Sequence, residues 1–73
     1  MSTVIAEYKF TNLSDYRGAK ERLSKELSYD SYQIYTYENL GAGEGFIRIY
    51  DKCSNPALAG QICRTFGGVP YSY

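Results

Sequence analysis

Apolar side chains recur at every second position from Thr3 to Phe10, then at every third or fourth from Tyr16 to Leu27, and the same change of period returns in the second half of the chain. A period of two belongs to a strand with one buried face, and a period near 3.6 to a helix with one buried stripe. A chain of 73 residues has room for one core, since a domain this small buries roughly 60% of the surface its unfolded form exposes. Both helices and all the strands must therefore share a single sheet-and-helix sandwich, and the chain reads as one domain, residues 1–73.

The first strand, Thr3 to Phe10, sets Val4, Ala6, Tyr8 and Phe10 on one face and Ile5, Glu7 and Lys9 on the other. Asn12 or Ser14 can cap the helix that follows, whose stripe is Tyr16, Ala19, Leu23 and Leu27 and whose wet side carries Arg17, Lys20, Glu21, Arg22, Lys25 and Glu26. Gly18 in that helix either costs about 1 kcal/mol relative to Ala or marks a close approach to the sheet. Ser31 to Glu38, SYQIYTYE, has the Tyr, Ile and Thr content of a second strand. The residues NLGAG form a hairpin loop, and GFIRIYD returns as the third strand.

Asn55-Pro56 places a capping side chain before a proline at the first helical position, and Leu58, Ala59, Ile62, Cys63 and Phe66 make the second apolar stripe. Gly67-Gly68 ends that helix, and VPYSY is long enough for one short last strand. The order β-α-β-β-α-β with right-handed crossovers puts both helices on one face of a four-stranded antiparallel sheet. The expected class is α+β, a ferredoxin-like βαββαβ sandwich, with strands one and three central and the Tyr-rich strands two and four at the edges.

One sheet face is then covered by nothing in the chain. If Ile47 and Ile49 point to the helices, Phe46, Arg48 and Tyr50 point away, because side chains alternate along a strand. The same rule turns Gln33, Tyr35 and Tyr37 outward on strand two, and Glu7, Lys9 and Thr11 on strand one. The candidate binding surface is therefore Lys9, Tyr32, Tyr35, Tyr37, Phe46, Arg48 and Tyr50, with strand two as the exposed edge. Nine Tyr and three Phe are the raw material of such a surface, since Tyr combines a large contact area with a polar tip.

Two short stretches resemble known families. Gly43, Gly45, Phe46 and Ile47 match the third strand of the RNA recognition motif family, and Asn12-Leu13 matches the end of its first strand. That resemblance implies single-stranded RNA binding by base stacking on the sheet, with Phe46 as the retained stacking position. Lys9 and Glu44 stand where the family has further stacking aromatics, and Ala42 where it has a basic residue. In the C-terminal part, GFIRIY followed by Gln61, Ile62, Arg64 and Gly67-Gly68 resembles the short linker domain of phycobilisome proteins, with Phe66 as an extra residue before the glycines. That resemblance implies an assembly-linker role.

Composition narrows the classes further. Eight basic and eight acidic residues cancel, so no whole-molecule field attracts nucleic acid or anionic lipid. No apolar run approaches the roughly 20 residues that cross a bilayer, and MSTVIAEYKF is not the n-region and h-region of a secretory leader. The expected setting is cytoplasmic, with Cys53 and Cys63 as reduced thiols and Cys63 in the core. The absence of His removes the usual general base and the commonest metal ligand. Two cysteines ten residues apart do not close a zinc site. Gly41-x-Gly43-x-Gly45 lacks the lysine and following helix of a phosphate loop, so it reads as a hairpin.

The expectation is a non-catalytic protein–protein interaction domain of adaptor, linker or inhibitor type, without cofactor or metal, binding another protein or a second copy of itself through the Tyr-rich face or edge. Single-stranded RNA is the alternative partner.

Overall fold

The computed structural model describes residues 3–71. Its elements are β1 (Val4–Phe10), α1 (Leu13–Glu26), β2 (Ile34–Asn39), β3 (Glu44–Tyr50), α2 (Pro56–Thr65) and β4 (Val69–Pro70). The strands form one antiparallel sheet in the order β2-β3-β1-β4, an α+β arrangement with β1 and β3 in the centre. No helix among the described residues is long and apolar enough to cross a membrane.

Both helices start on asparagine. The Asn12 side chain, not that of Ser14, accepts the Asp15 N–H at 3.2 Å, and Asn55 accepts the Leu58 N–H at 3.2 Å ahead of Pro56. At the far end of α2, Gly67 takes φ +90°, its N–H reaches the Arg64 carbonyl at 3.0 Å, and the Gly68 N–H reaches the Cys63 carbonyl at 2.8 Å. These two bonds satisfy carbonyls that the helix end would otherwise leave unpaired.

Strand two begins later than its composition suggests. The Asp30 carbonyl accepts the N–H groups of Gln33 at 2.9 Å and Ile34 at 3.0 Å, closing a turn over residues 31–33. Tyr32 consequently sits in that turn rather than in a strand. Asn39 joins β2 and pairs with Glu44, which shortens the hairpin loop to residues 40–43. The last strand is confined to Val69–Pro70 plus one bond from the Tyr71 N–H to the Glu7 carbonyl at 2.8 Å. Ser72 and Tyr73, also expected in that strand, lie outside the described residues.

The core lies between the helices and one sheet face. Phe10, Tyr16, Leu23, Ile34, Ile47, Ile49 and Cys63 are its largest fully buried side chains. Two glycines are explained by close packing. The Tyr16 ring lies where a Cβ on Gly45 would stand, so α1 settles directly on β3 at that point. Gly18 faces Phe66 of the other helix, whose ring would come within 2.7 Å of an added Cβ. The close approach expected between α1 and the sheet at Gly18 is thus an approach between α1 and the end of α2. Of Gly41, Gly43 and Gly45, only Gly43, with φ +68°, needs the left-handed region.

Candidate functional site

Strand register decides which side chains share the open face. Tyr35 lies opposite Arg48, Tyr37 opposite Phe46, Glu7 opposite Arg48 and Lys9 opposite Phe46. Directly opposed residues share a face, so Glu7, Lys9, Tyr35, Tyr37, Phe46 and Arg48 stand together on the side away from the helices. Tyr50 joins them through its hydroxyl, which accepts from Arg48 Nη1 at 3.4 Å. Tyr32 does not join them.

The aromatic rings form a continuous row across this face. Tyr35 and Tyr37 have centroids 5.8 Å apart, Tyr37 stacks on Phe46 at 4.8 Å with 13° between planes, and Phe46 meets the edge of Tyr71 at 5.5 Å. Both neighbours cover Phe46, leaving it only 7% exposed, whereas Tyr35, Tyr37 and Tyr71 keep 42%, 36% and 44% of their surface. The face therefore presents tyrosines, with the phenylalanine as the floor beneath them.

Each cation of this face is held by a carboxylate and leans on a ring. Arg48 Nε donates to Glu7 Oε1 at 2.9 Å, and its guanidinium lies 5.9 Å from the Tyr35 centroid. Lys9 Nζ is 3.0 Å from Glu44 Oε2 and 5.8 Å from the Tyr71 centroid. The hydrogen bond to Glu44, with its charge, holds the Lys9 ammonium above the ordinary lysine range. Glu7 is almost fully buried beneath this cover. A buried carboxylate is sustained by its pairing, since an unpaired one would cost several kcal/mol. Burial and then the Glu7 charge raise the Tyr37 phenol, which favours its neutral, hydrogen-bond-donating form.

Three of the four basic residues on α1 are paired with carboxylates in the same manner. Arg17 reaches across to Glu38 of β2 at 2.8 Å, Arg22 pairs with Glu26, and Lys25 lies 3.3 Å from Glu21. Among the described residues no group of three His, Cys, Asp or Glu side chains is placed to hold a metal ion. Cys53 and Cys63 are free and buried, and burial pushes the Cys63 thiol up to about 12.

Sequence reasoning placed Glu7, Lys9, Tyr35, Tyr37, Phe46, Arg48 and Tyr50 on this face, gave Glu7 no role there, and missed Glu44 and Tyr71. Glu7 and Glu44 are the carboxylates that neutralise it, and Tyr71 is the ring that closes the row. Parity alone puts Glu7 beside Arg48 once the register is known, but the register is not written in the strands. Tyr71 sits in a tail whose pairing rests on two residues of strand. No family model matches this chain, and no curated protein or solved structure matches it either.

The two edges of the sheet differ. The Tyr50 N–H bonds to the Gln33 carbonyl at 3.0 Å, so the hydrogen-bonded pairs of the β2–β3 ladder fall at positions 33, 35, 37 and 39, and Ile34, Thr36 and Glu38 turn their N–H and C=O groups outward. Applying the same count to β4, the Tyr71 bond to Glu7 directs the Pro70 backbone to the outer side. That edge is two residues long and lacks a donor at its proline, which are devices that protect an edge. β2 has six strand residues and neither proline, lysine nor bulge.

Proposed function

We propose that this chain is a non-catalytic protein-interaction domain whose binding surface is the tyrosine row of the open face together with the β2 edge. The observation that carries the reading is the combination of exposed Tyr35, Tyr37 and Tyr71 rings with cations already matched by carboxylates. A polyanion gains affinity by releasing counterions to unmatched lysines and arginines. Here Lys9 and Arg48 would first have to leave Glu44 and Glu7. A neutral protein surface gains instead by covering the rings, whose phenol hydroxyls can bond to backbone groups of a partner. The edge adds backbone donors and acceptors in the alternate spacing that an incoming strand needs.

Selection from a displayed library of random peptides tests this reading, with the bound site mapped by amide NMR shifts. Selected peptides are expected to shift residues of β2, β3 and Tyr71, and Tyr37→Ala is expected to weaken them by about 10- to 100-fold with little dependence on salt. Shifts confined to the helices would overturn the assignment of the surface. A degenerate single-stranded RNA pool serves as the counter-test. Salt-sensitive shifts on residues 9, 35, 37, 46 and 48 would replace the protein with RNA as the partner.

A further inference from the structure

Four of the seven large hydrophobic side chains exposed among the described residues, Tyr32, Tyr35, Tyr37 and Leu40, lie along β2 or at its two ends. This is the same strand whose outward backbone groups, the Ile34 carbonyl and the N–H and C=O groups of Thr36 and Glu38, have no strand beside them among the described residues, the Ile34 N–H being bonded to the Asp30 carbonyl. We infer that the occupant of this edge is a second copy of the chain, paired antiparallel β2 to β2 about a two-fold axis through Thr36. The inference rests on the proposed interaction surface and names its partner.

Symmetry and parity select the register. An isologous pair must match residue i with j and j with i, and directly opposite residues must share a sheet face. Only registers centred on a residue of β2 meet both conditions. Centring on Thr36 pairs Thr36 with Thr36 of the second copy and sets the Glu38 N–H against the Ile34 carbonyl, while the Ile34 N–H keeps its bond to the Asp30 carbonyl at 3.0 Å. Tyr35 then stands directly opposite Tyr37 of the second copy, so the two aromatic rows join into one. The turn carrying Tyr32 meets the loop carrying Leu40.

The charges are compatible with this pairing. Glu38 is the one ionised residue of β2, it is already held by Arg17 at 2.8 Å, and in this register it faces isoleucine rather than its own copy. Like charges directly opposite would disfavour the pair. A centre on Tyr37 would set Tyr35 against Asn39 and break the joined aromatic row, and a centre on Glu38 would set that carboxylate against its own copy. The available area sets the strength. Tyr32, Tyr35 and Tyr37 expose 58%, 42% and 36% of their surface, about 270 Å² per copy at roughly 200 Å² per ring residue. Two copies thus bring about 540 Å² of ring surface together, to which Leu40 and the strand edges add, and the pair stays below the ~1,200 Å² at the lower end of specific interfaces. The dimer is accordingly expected to be reversible, with a dissociation constant in the micromolar range.

Thr36 provides the decisive substitution. Its N–H points out of the sheet, so Thr36→Pro removes the two symmetry-related central intermolecular bonds and keeps every bond of the β2–β3 ladder, as proline permits at an edge. The Thr36 hydroxyl also bonds to the Tyr16 hydroxyl, and Thr36→Val controls for that loss because it retains the N–H. Sedimentation equilibrium from micromolar to millimolar protein is expected to show the parent chain and Thr36→Val approaching twice the monomer mass. Thr36→Pro is expected to remain monomeric at tenfold or greater excess over the parent dissociation constant.

An isotope-filtered NOE between the Tyr35 Hα of a labelled copy and the Tyr37 Hα of an unlabelled one fixes the register independently, and it uses the parent chain whether or not Thr36→Pro folds. A monomer at millimolar concentration, an unchanged dimer in folded Thr36→Pro, or intermolecular NOEs elsewhere would overturn the inference. Peptide binding at the tyrosine row that persists in a monomeric chain would leave the wider interaction reading standing with a different occupant.

Discussion

Gly45→Ala separates two explanations of the glycine-rich hairpin by the sign of its effect on stability. In an ordinary strand position, alanine is favoured over glycine by roughly 0.5–1 kcal/mol, because glycine loses more backbone freedom on folding. At Gly45 the Tyr16 ring occupies the place of the new methyl group. Tyr16 is itself fully buried and edge-on to Phe10 at 6.0 Å, so it cannot retreat without opening the core. Overpacking of this kind costs typically 1–3 kcal/mol, which exceeds the entropic gain, and the net expectation is a loss of about 1–2 kcal/mol. For a domain of this size that lowers the melting temperature by about 4–16 °C. Gly41→Ala is the matched control, since an added Cβ there meets only Asn39 Oδ1 at 3.7 Å. It is expected to be neutral or slightly stabilising. Urea titration followed by far-UV circular dichroism measures both, and a Gly45→Ala, Tyr16→Leu double variant closes the cycle. A favourable coupling of about 0.5–3 kcal/mol is expected, because Leu gives the methyl room. If Gly45→Ala leaves the midpoint where Gly41→Ala does, or the coupling is zero, Tyr16 is not the reason for the glycine and the reasoning fails.

Three further outcomes follow from the site and the core. Glu7→Ala should destabilise the fold by about 1–3 kcal/mol in urea titration, since it strips the half-buried Arg48 guanidinium of its partner carboxylate while Arg48 keeps some contact with water. In a Cys53→Ser background, Cys63 should resist thiol reagents at pH 8 in native protein and react fully once unfolded, because burial keeps its thiol protonated up to about 12. Rapid modification of native protein would contradict the buried position of the thiol. Arg17 holds the Glu38 carboxyl below its ordinary value, so the pair's contribution is present above the unfolded carboxyl pKa and lost as pH falls through the lower folded one. Glu38→Gln should therefore lower stability slightly at neutral pH and leave it nearly unchanged in acid, which flattens the acid limb of the curve.

The element order and the central strands were legible because period is a local property. Val4, Ala6, Tyr8 and Phe10 alternate whatever the rest of the chain does, and Asn55-Pro56 caps a helix by its own side chain and ring. The start of β2 was not legible for an equally physical reason. SYQIYTYE has strand propensity throughout, but two N–H groups converge on the Asp30 carbonyl and bend its first residues into a turn. Tyr32 was assigned to strand two on the strength of that propensity, and it sits instead, still exposed, in the turn ahead of β2. Gly45 was read as loop freedom, and only the ring of Tyr16, 29 positions away in sequence, shows that it answers to packing.

The electrostatics of the open face make the same point about what a sequence withholds. Net charge is zero, and that sum is equally consistent with a basic patch balanced elsewhere and with local neutralisation. Register distinguishes the two. Glu7 and Arg48 are 41 positions apart in the chain and become neighbours only because β1 pairs with β3 in the register that sets Ala6 against Ile49. The irregularity between Val4 and Ala6 shifts the pairing by one residue at the start of β1. Had the shift carried through the strand, each side chain of β1 would stand opposite a neighbour of the other parity, and the strand would have to turn over to keep its apolar face inward. The bulge confines that change to one end. It leaves Glu7 beneath Arg48 and Lys9 beside Glu44, so local neutrality of the tyrosine face depends on a backbone feature that no side-chain pattern records.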